Sequence, residues 1–231
     1  MKVLAIDTSN YVMGIALLED GKVSGEYITN LQKNHSVRVM PAIQDLMREC
    51  NVKPAELDKV VVAKGPGSYT GVRIGVTIAK TLAWTLNIPL SGISSLEVLA
   101  ANGKHFNGLI SPLFDARRGQ IYTGLYGYNE GLLQTVKDDR NVLASDWAEE
   151  LKQREEEILF LGTDLPIHES VIKEIMGEKA KFAPYTSFNP RPGELAFLGI
   201  HKEAEDIHTF VPNYIRLAEA EAKWREQQNL K

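Results

Sequence analysis

A continuous β-branched run, Val60-Val61-Val62, leads within a few residues into Gly65-Pro66-Gly67-Ser68-Tyr69-Thr70-Gly71, and that turn opens a helical pattern ending near Leu86. A strand that is apolar at every position has both faces covered, as in the interior of a sheet that carries helices. Strand, glycine-rich turn and helix in succession therefore commit the chain to an α/β arrangement. Backbone N–H groups at such a turn are able to cradle phosphate. The same glycines serve equally well for positive φ and for close packing of helix on strand. The turn lacks Gly-Lys-Ser/Thr, so it is not a P-loop. Nucleotide or phosphate contact by Asp7, Gly65, Gly67 and Ser68, or packing alone, both remain open here.

The rest of the first half fits the same plan. Strands are expected at Val3–Asp7, Val12–Leu18 and Val23–Thr29, the last two joined at Asp20-Gly21, a pair that tolerates positive φ. Asn34 can cap a helix running to about Arg48, with Pro41 imposing a kink or a late start. Strands at Leu57–Ala63 and Pro89–Ile93 and a helix from Ser94 or Ser95 complete a mixed sheet with helices packed on it. Beyond Asn102-Gly103, strands are expected at Leu109–Phe114, Gln120–Tyr126, Leu132–Lys137 and Ile158–Leu161. Helices are expected at Asp146–Glu157, Ile167–Met176 and Leu195–Ala204, with a charged tail helix at Ala218–Gln228 and a proline-rich connection at Pro184–Pro192. No repeat of fixed 20–50-residue period is present. The expected division is a first α/β lobe over 1–104, joined by a C-terminal helix within 212–231, and a smaller second lobe over 105–211.

With 231 residues, 26 basic against 30 acidic side chains and a net charge of −4, the chain lacks the basic excess of a stand-alone nucleic-acid binder. Its one cysteine, Cys50, cannot form an internal disulfide, which fits a reducing compartment. Cys50 also lies on the apolar stripe of a helical pattern, the position of a small hydrophobe rather than a nucleophile. The first residues read as a strand and not a signal peptide. The longest uncharged stretch, Thr81–Leu96, falls short of the ~20 apolar residues that span a bilayer. A cytoplasmic protein with no membrane partner is the expectation.

The chemistry-bearing residues form no familiar constellation. None of the five histidines has a histidine four positions on, so no helix presents two imidazoles on one face and no metal site is expected. His201 and Glu205 share a helical spacing that suits a solvated surface pair. Ser68 has no evident histidine partner, and no Gly-x-Ser-x-Gly elbow occurs. Asp7 and Asp115 stand at strand ends, where an aspartate either serves a ligand or accepts local backbone hydrogen bonds.

The helix after the turn is more informative. Gly71, Gly75, Ala79 and Ala83 form a stripe of small residues at helical spacing, flanked by Val72, Val76, Leu82 and Leu86. The opposite face carries Thr70, Arg73, Thr77, Lys80, Thr81 and Thr85, with Ile74 and Trp84 among them and Ile78 at the edge. A helix apolar around most of its circumference is covered on more than one side. Either the second lobe lies over this face, or Arg73, Ile74, Thr77, Ile78, Lys80 and Trp84 form a subunit interface.

Several motifs together resemble the bacterial TsaB family. They are Ile6-Asp7-Thr8-Ser9, His35-Ser36 with Met40-Pro41, the block from Gly65 to Gly75, Ser94-Ser95-Leu96, Asp115-Ala116-Arg117-Arg118 with Tyr122, and Pro212-Asn213-Tyr214-Ile215-Arg216. Tyr69 and Val72 stand where a close family pattern has Phe and Leu. The resemblance implies a ribonuclease-H-like fold of the actin/Hsp70/sugar-kinase type, with two related lobes. It implies a role in making threonylcarbamoyladenosine beside the anticodon of tRNAs that read codons starting with adenine. A TsaD-like subunit would transfer threonylcarbamoyl from threonylcarbamoyl-adenylate, a TsaE-like ATPase would join the complex, and TsaB-like chains pair with the TsaD-like subunit or with themselves. The TsaD-type relative has His-Met-Glu-Gly-His, whose histidines hold a metal, where this chain has Ser95-Leu96-Glu97-Val98-Leu99. The resemblance thus implies a scaffold with no catalytic residues, no metal and no cofactor, reaching tRNA only through the complex. An independent peptidase, a sugar-kinase-like phosphotransferase and a homodimeric nucleotide sensor are the alternatives.

Overall fold

Asp20 and Gly21 both take positive φ, 49° and 77°, and fold Val12–Glu19 (β2) back onto Lys22–Asn30 (β3), as the Asp-Gly pair predicts. Strand β2 pairs antiparallel on its other side with Lys2–Asp7 (β1). Lys59–Ala63 (β4) and Leu90–Ile93 (β5) then add parallel strands. The resulting order is β3-β2-β1-β4-β5. The molecule is described from a computed structural model over residues 1–215.

A second sheet repeats this plan. Leu109–Asp115 (β6) pairs antiparallel with Gln120–Asn129 (β7), which pairs with Leu132–Leu143 (β8). Ile158–Leu161 (β9) and Ala180–Phe182 (β10) follow in parallel on the far side of β6. Each lobe is thus a three-stranded meander extended by two parallel strands. The two mixed sheets packed with helices make the expected two-lobed ribonuclease-H-like fold. The repeat is one of topology, carried by strand order rather than by sequence period.

Helices cover the sheets. Val39–Glu49 (α1) starts late, after a single 3₁₀ turn at His35–Val37 that Asn34 caps by accepting the Ser36 N–H. Pro41 therefore falls in the first turn, where its missing N–H costs nothing. Tyr69–Leu86 (α2) packs on β4 and β1, and Ser95–Ala100 (α3) joins the two lobes. Ala144–Lys152 (α4) and Leu165–Met176 (α5) cover the second sheet, whose core centres on Leu113, Tyr126, Trp147 and Phe160. No helix among the described residues is long and apolar enough to cross a membrane.

Several expectations need correction. Strand β8 runs to Leu143 rather than Lys137, because as an edge strand it alternates weakly and carries charge. Helix α4 ends at Lys152 and does not reach Glu157. Strand β10 is too short to leave a pattern. Pro192 is the first residue of the helix Pro192–Ile200 (α6) rather than the end of a connection, a position proline favours. Helix α6 packs on the first sheet, where Leu195 and Ala196 meet Val3, Ala5, Ala16 and Val61. Residues 192–200 thus belong with the first lobe, although 105–211 were expected to form the second. Residues 212–215 are not helical, and the rest of the expected tail helix, Arg216 included, lies outside the described residues.

Candidate functional site

Helix α2 is set on the sheet by its small stripe. Thr8 Oγ1 donates to the Gly71 carbonyl at 2.7 Å, and a Cβ on Gly71 would stand 2.2 Å from the Thr8 carbonyl oxygen. A Cβ on Gly75 would meet Thr8 Oγ1 at 2.5 Å. Ser68 caps the helix by accepting the Gly71 N–H at 3.3 Å, and Asn87 closes it in the left-handed conformation.

The opposite face of α2 is open among the described residues, so the second lobe is not its cover. Trp84 is 67% exposed, and Arg73, Thr77, Thr81 and Thr85 are exposed with it. Ile74 and Ile78 are half-buried against the first-lobe core. The six expected face residues do lie on one side of α2, yet two of them are engaged within the chain. Arg73 donates Nε–H to the Tyr214 hydroxyl at 2.6 Å, and its guanidinium lies 3.9 Å from the centroid of the Tyr69 ring. Lys80 Nζ donates to the Phe210 carbonyl at 2.7 Å.

Tyr214 and Phe210 belong to a segment that the sequence marked only through the motif Pro212–Arg216, with no structural element assigned to residues 205–211 before it. Residues 205–215 run as an irregular strap beside α2, with a turn at 207–209, anchored by buried Phe210 and by the Lys64–Glu205 ion pair at 3.0 Å. The Asn213 N–H donates to the Lys64 carbonyl at 2.7 Å. Glu205 is thereby occupied by Lys64, while His201, its expected surface partner, is exposed at the end of α6. The sequence predicts a helix from 212 onward; Phe210 and Tyr214 follow no regular period, so their packing along α2 left no signal in the pattern.

The four candidate phosphate contacts fare differently. Gly67 and Ser68 line an open cleft of about 900 Å³ between the lobes, with Asn10, His35, Asp115 and Arg117 among its other residues. Asp7 and Gly65 do not line it. Asp7 is buried, its Oδ1 accepting the Ser9 N–H at 2.8 Å, and burial pushes its pKa up. Gly65, at φ 100°, donates its N–H to Ser95 Oγ at 3.1 Å, and a Cβ there would meet the Asn213 carbonyl at 2.8 Å. A Cβ on Gly67 would stand 2.1 Å from the Ser9 carbonyl oxygen, which accepts the Ser68 N–H at 2.7 Å. Close backbone approach accounts for all three glycines, Gly65, Gly67 and Gly71, of the turn.

Across the cleft, Asp115 Oδ1 meets His168 Nε2 at 2.9 Å, and the Asp115 N–H donates to Asp164 Oδ2 at 3.0 Å. Burial pushes the Asp164 carboxyl above the ordinary range. No group of three or more His, Cys, Asp or Glu among the described residues is placed to hold a metal ion. Cys50 is half-buried at the end of α1, its thiol pushed up by burial.

Residues 24–224 match the family model described as tRNA N6-adenosine threonylcarbamoyltransferase, TsaD. The chain is 61% identical to the tRNA threonylcarbamoyladenosine biosynthesis protein TsaB of Bacillus subtilis, over 99% of this chain and all of that one. It is 31% identical to the protein of the same name from Escherichia coli, over 67% of each. Among solved structures it resembles YeaZ from Pseudomonas aeruginosa, with a TM-score of 0.77 and 24% identity over 92% of this chain and 99% of that one. A likeness at that identity bears on the fold alone.

Proposed function

Because the chain belongs to the TsaB family and so to tRNA threonylcarbamoyladenosine biosynthesis, we propose that it serves there as a non-catalytic, activating scaffold. In this reading a TsaD-like subunit transfers threonylcarbamoyl from threonylcarbamoyl-adenylate to the adenosine beside the anticodon, in tRNAs reading codons that start with adenine. The chain docks that subunit through the open face of α2, a TsaE-like ATPase joins the pair, and tRNA is met only in the assembly. The chain self-associates through the same face when alone, and the setting is the cytoplasm.

The observation that carries the reading is what stands at the two positions aligned with the relative's metal-binding histidines. Ser95 is fully buried, its hydroxyl accepting the Gly65 N–H, and Leu99 is fully buried in the second-lobe core. Both side chains are committed to joining lobe and turn, and neither is a firm ligand for a transition metal. The composition of the α2 face supports docking: an exposed tryptophan and two isoleucines among threonines, with few charges, match the core of an interface.

The test is tRNA modification by a TsaD-like partner with and without this chain. Stimulation by the chain, with no threonylcarbamoyl transfer by the chain alone in metal-replete buffer, is the expected result. Transfer or peptide hydrolysis by the chain alone overturns the reading. Calorimetry with ATP, ADP and Mg²⁺ on the isolated chain addresses the nucleotide-sensor alternative.

A further inference from the structure

The connection that leaves β5 for the second lobe is short, and a half-buried carboxylate of that lobe meets it. Ser94 follows β5 directly and caps α3, its Oγ accepting the N–H groups of Leu96 at 3.1 Å and Glu97 at 3.3 Å. Helix α3 belongs to both lobes: Leu96, Leu99 and Ala100 lie in the second-lobe core, whereas Val98 packs with α6 and the first sheet. The hydroxyl hydrogen of Ser94 is donated to Asp139 Oδ2, on β8 of the second lobe. The other oxygen, Oδ1, accepts the hydroxyl of Tyr126 from β7.

The sheet is built to bring Asp139 there. Thr123 pairs with Arg140 and Leu125 with Lys137, so Gly124 opposes two residues of β8, Asp138 and Asp139, in a bulge. A Cβ on Gly124 would stand 2.7 Å from Asp139 Oδ1, so any larger residue would have to displace the carboxylate from this position. Asp138 is the acid that acts on Asp139, while Glu97 feels Asp139 and is faced by Lys202 and Lys64; burial raises the pKa of both Asp139 and Glu97. A carboxylate taken out of water is a net cost unless its bonds are placed well. An apolar residue would fill the same space without that cost, so packing does not account for Asp139.

We propose that Asp139 is a clasp between the lobes: by holding Ser94 and Tyr126 together it fixes α3 against the second sheet and sets the opening of the interlobe cleft. This device lies apart from the α2 face, so it stands or falls independently of partner docking.

Spin labels on Gln32→Cys and Ile167→Cys, in a Cys50→Ser background, report the width of the cleft by electron–electron resonance; both native side chains are exposed at its rim. In Asp139→Ala the distance distribution is expected to broaden and move outward. Amide exchange of Leu96 and Glu97 should quicken by about tenfold or more, while the amides of β1 and β4 keep their rates. Lys137→Ala, which breaks the Lys137–Glu150 pair within the second lobe, should leave the distribution unchanged. If Asp139→Ala does not fold, Tyr126→Phe removes one hydroxyl and is read in the same way. An unchanged distribution in a folded variant overturns the clasp, and so does a uniform rise in exchange over both lobes.

Discussion

Arg73 donates its Nε–H to the hydroxyl of Tyr214, 2.6 Å away and 141 positions later in the chain, and so ties the strap to the open face of α2. Tyr69 completes the arrangement, its ring 5.1 Å from that of Tyr214 between centroids. Both ends of this bond are solvent-facing, so it orients the strap more than it stabilises the fold. Tyr214→Phe is expected to leave the denaturation midpoint unchanged while amide exchange over residues 210–215 rises. A lowered midpoint with unchanged exchange in the strap would contradict this assignment.

Trp84 is the natural anchor of a docked partner. Its exposure means that Trp84→Ala opens no cavity in the monomer. Tryptophans that dominate interfaces contribute ~2 kcal/mol or more, and losing that much weakens a complex roughly 30-fold. Trp84→Ala and Ile74→Arg are expected to keep a native circular dichroism spectrum, lose the partner complex in size-exclusion or calorimetry, and fail to support tRNA modification. Unchanged partner affinity in both folded variants would remove α2 from the interface.

Alanine at Gly67 or Gly71 should damage the first lobe. The added Cβ would meet the Ser9 or Thr8 carbonyl oxygen near 2 Å, and these are backbone atoms that cannot rotate away. A loss of about 2–4 kcal/mol in chemical denaturation is expected for each. At Gly71 the gain in helix propensity, about 1 kcal/mol, does not offset it. Wild-type stability in either variant would mean that α2 sits farther from the β1–β2 turn than described.

Asp7 makes stability depend on pH with a definite sign. Burial raises its pKa in the folded state above the ordinary aspartate value of 3.8. The folded state therefore holds a proton that the unfolded state has released, from 3.8 up to the raised value. The stability it contributes is complete below 3.8 and is lost as pH rises through the folded pKa. Asp7→Asn keeps an oxygen to accept the Ser9 N–H and removes the titration. Denaturation from about pH 4 to 8 should then fall less steeply with pH than in the wild type. Identical slopes would show that Asp7 is not a source of the dependence.

What the sequence by itself determined was local. The Asp20-Gly21 hairpin, the buried β4 run and the extent of α2 depend on residues within a few positions of one another, where turn chemistry and periodicity operate. The alignment of Arg73, Ile74, Thr77, Ile78, Lys80 and Trp84 on one face followed from helical spacing in the same way. Tertiary structure decided whatever joins distant segments. It placed α6 on the first sheet, where Gly199 has no room for a Cβ beside Val61. It laid the strap on Arg73 and Lys80, withdrew Asp7 and Gly65 from the cleft, and carried Asp139 to Ser94 through a one-residue bulge. These contacts join residues tens to more than a hundred positions apart through hydrogen bonds and steric fit, and such contacts impose no period on the chain.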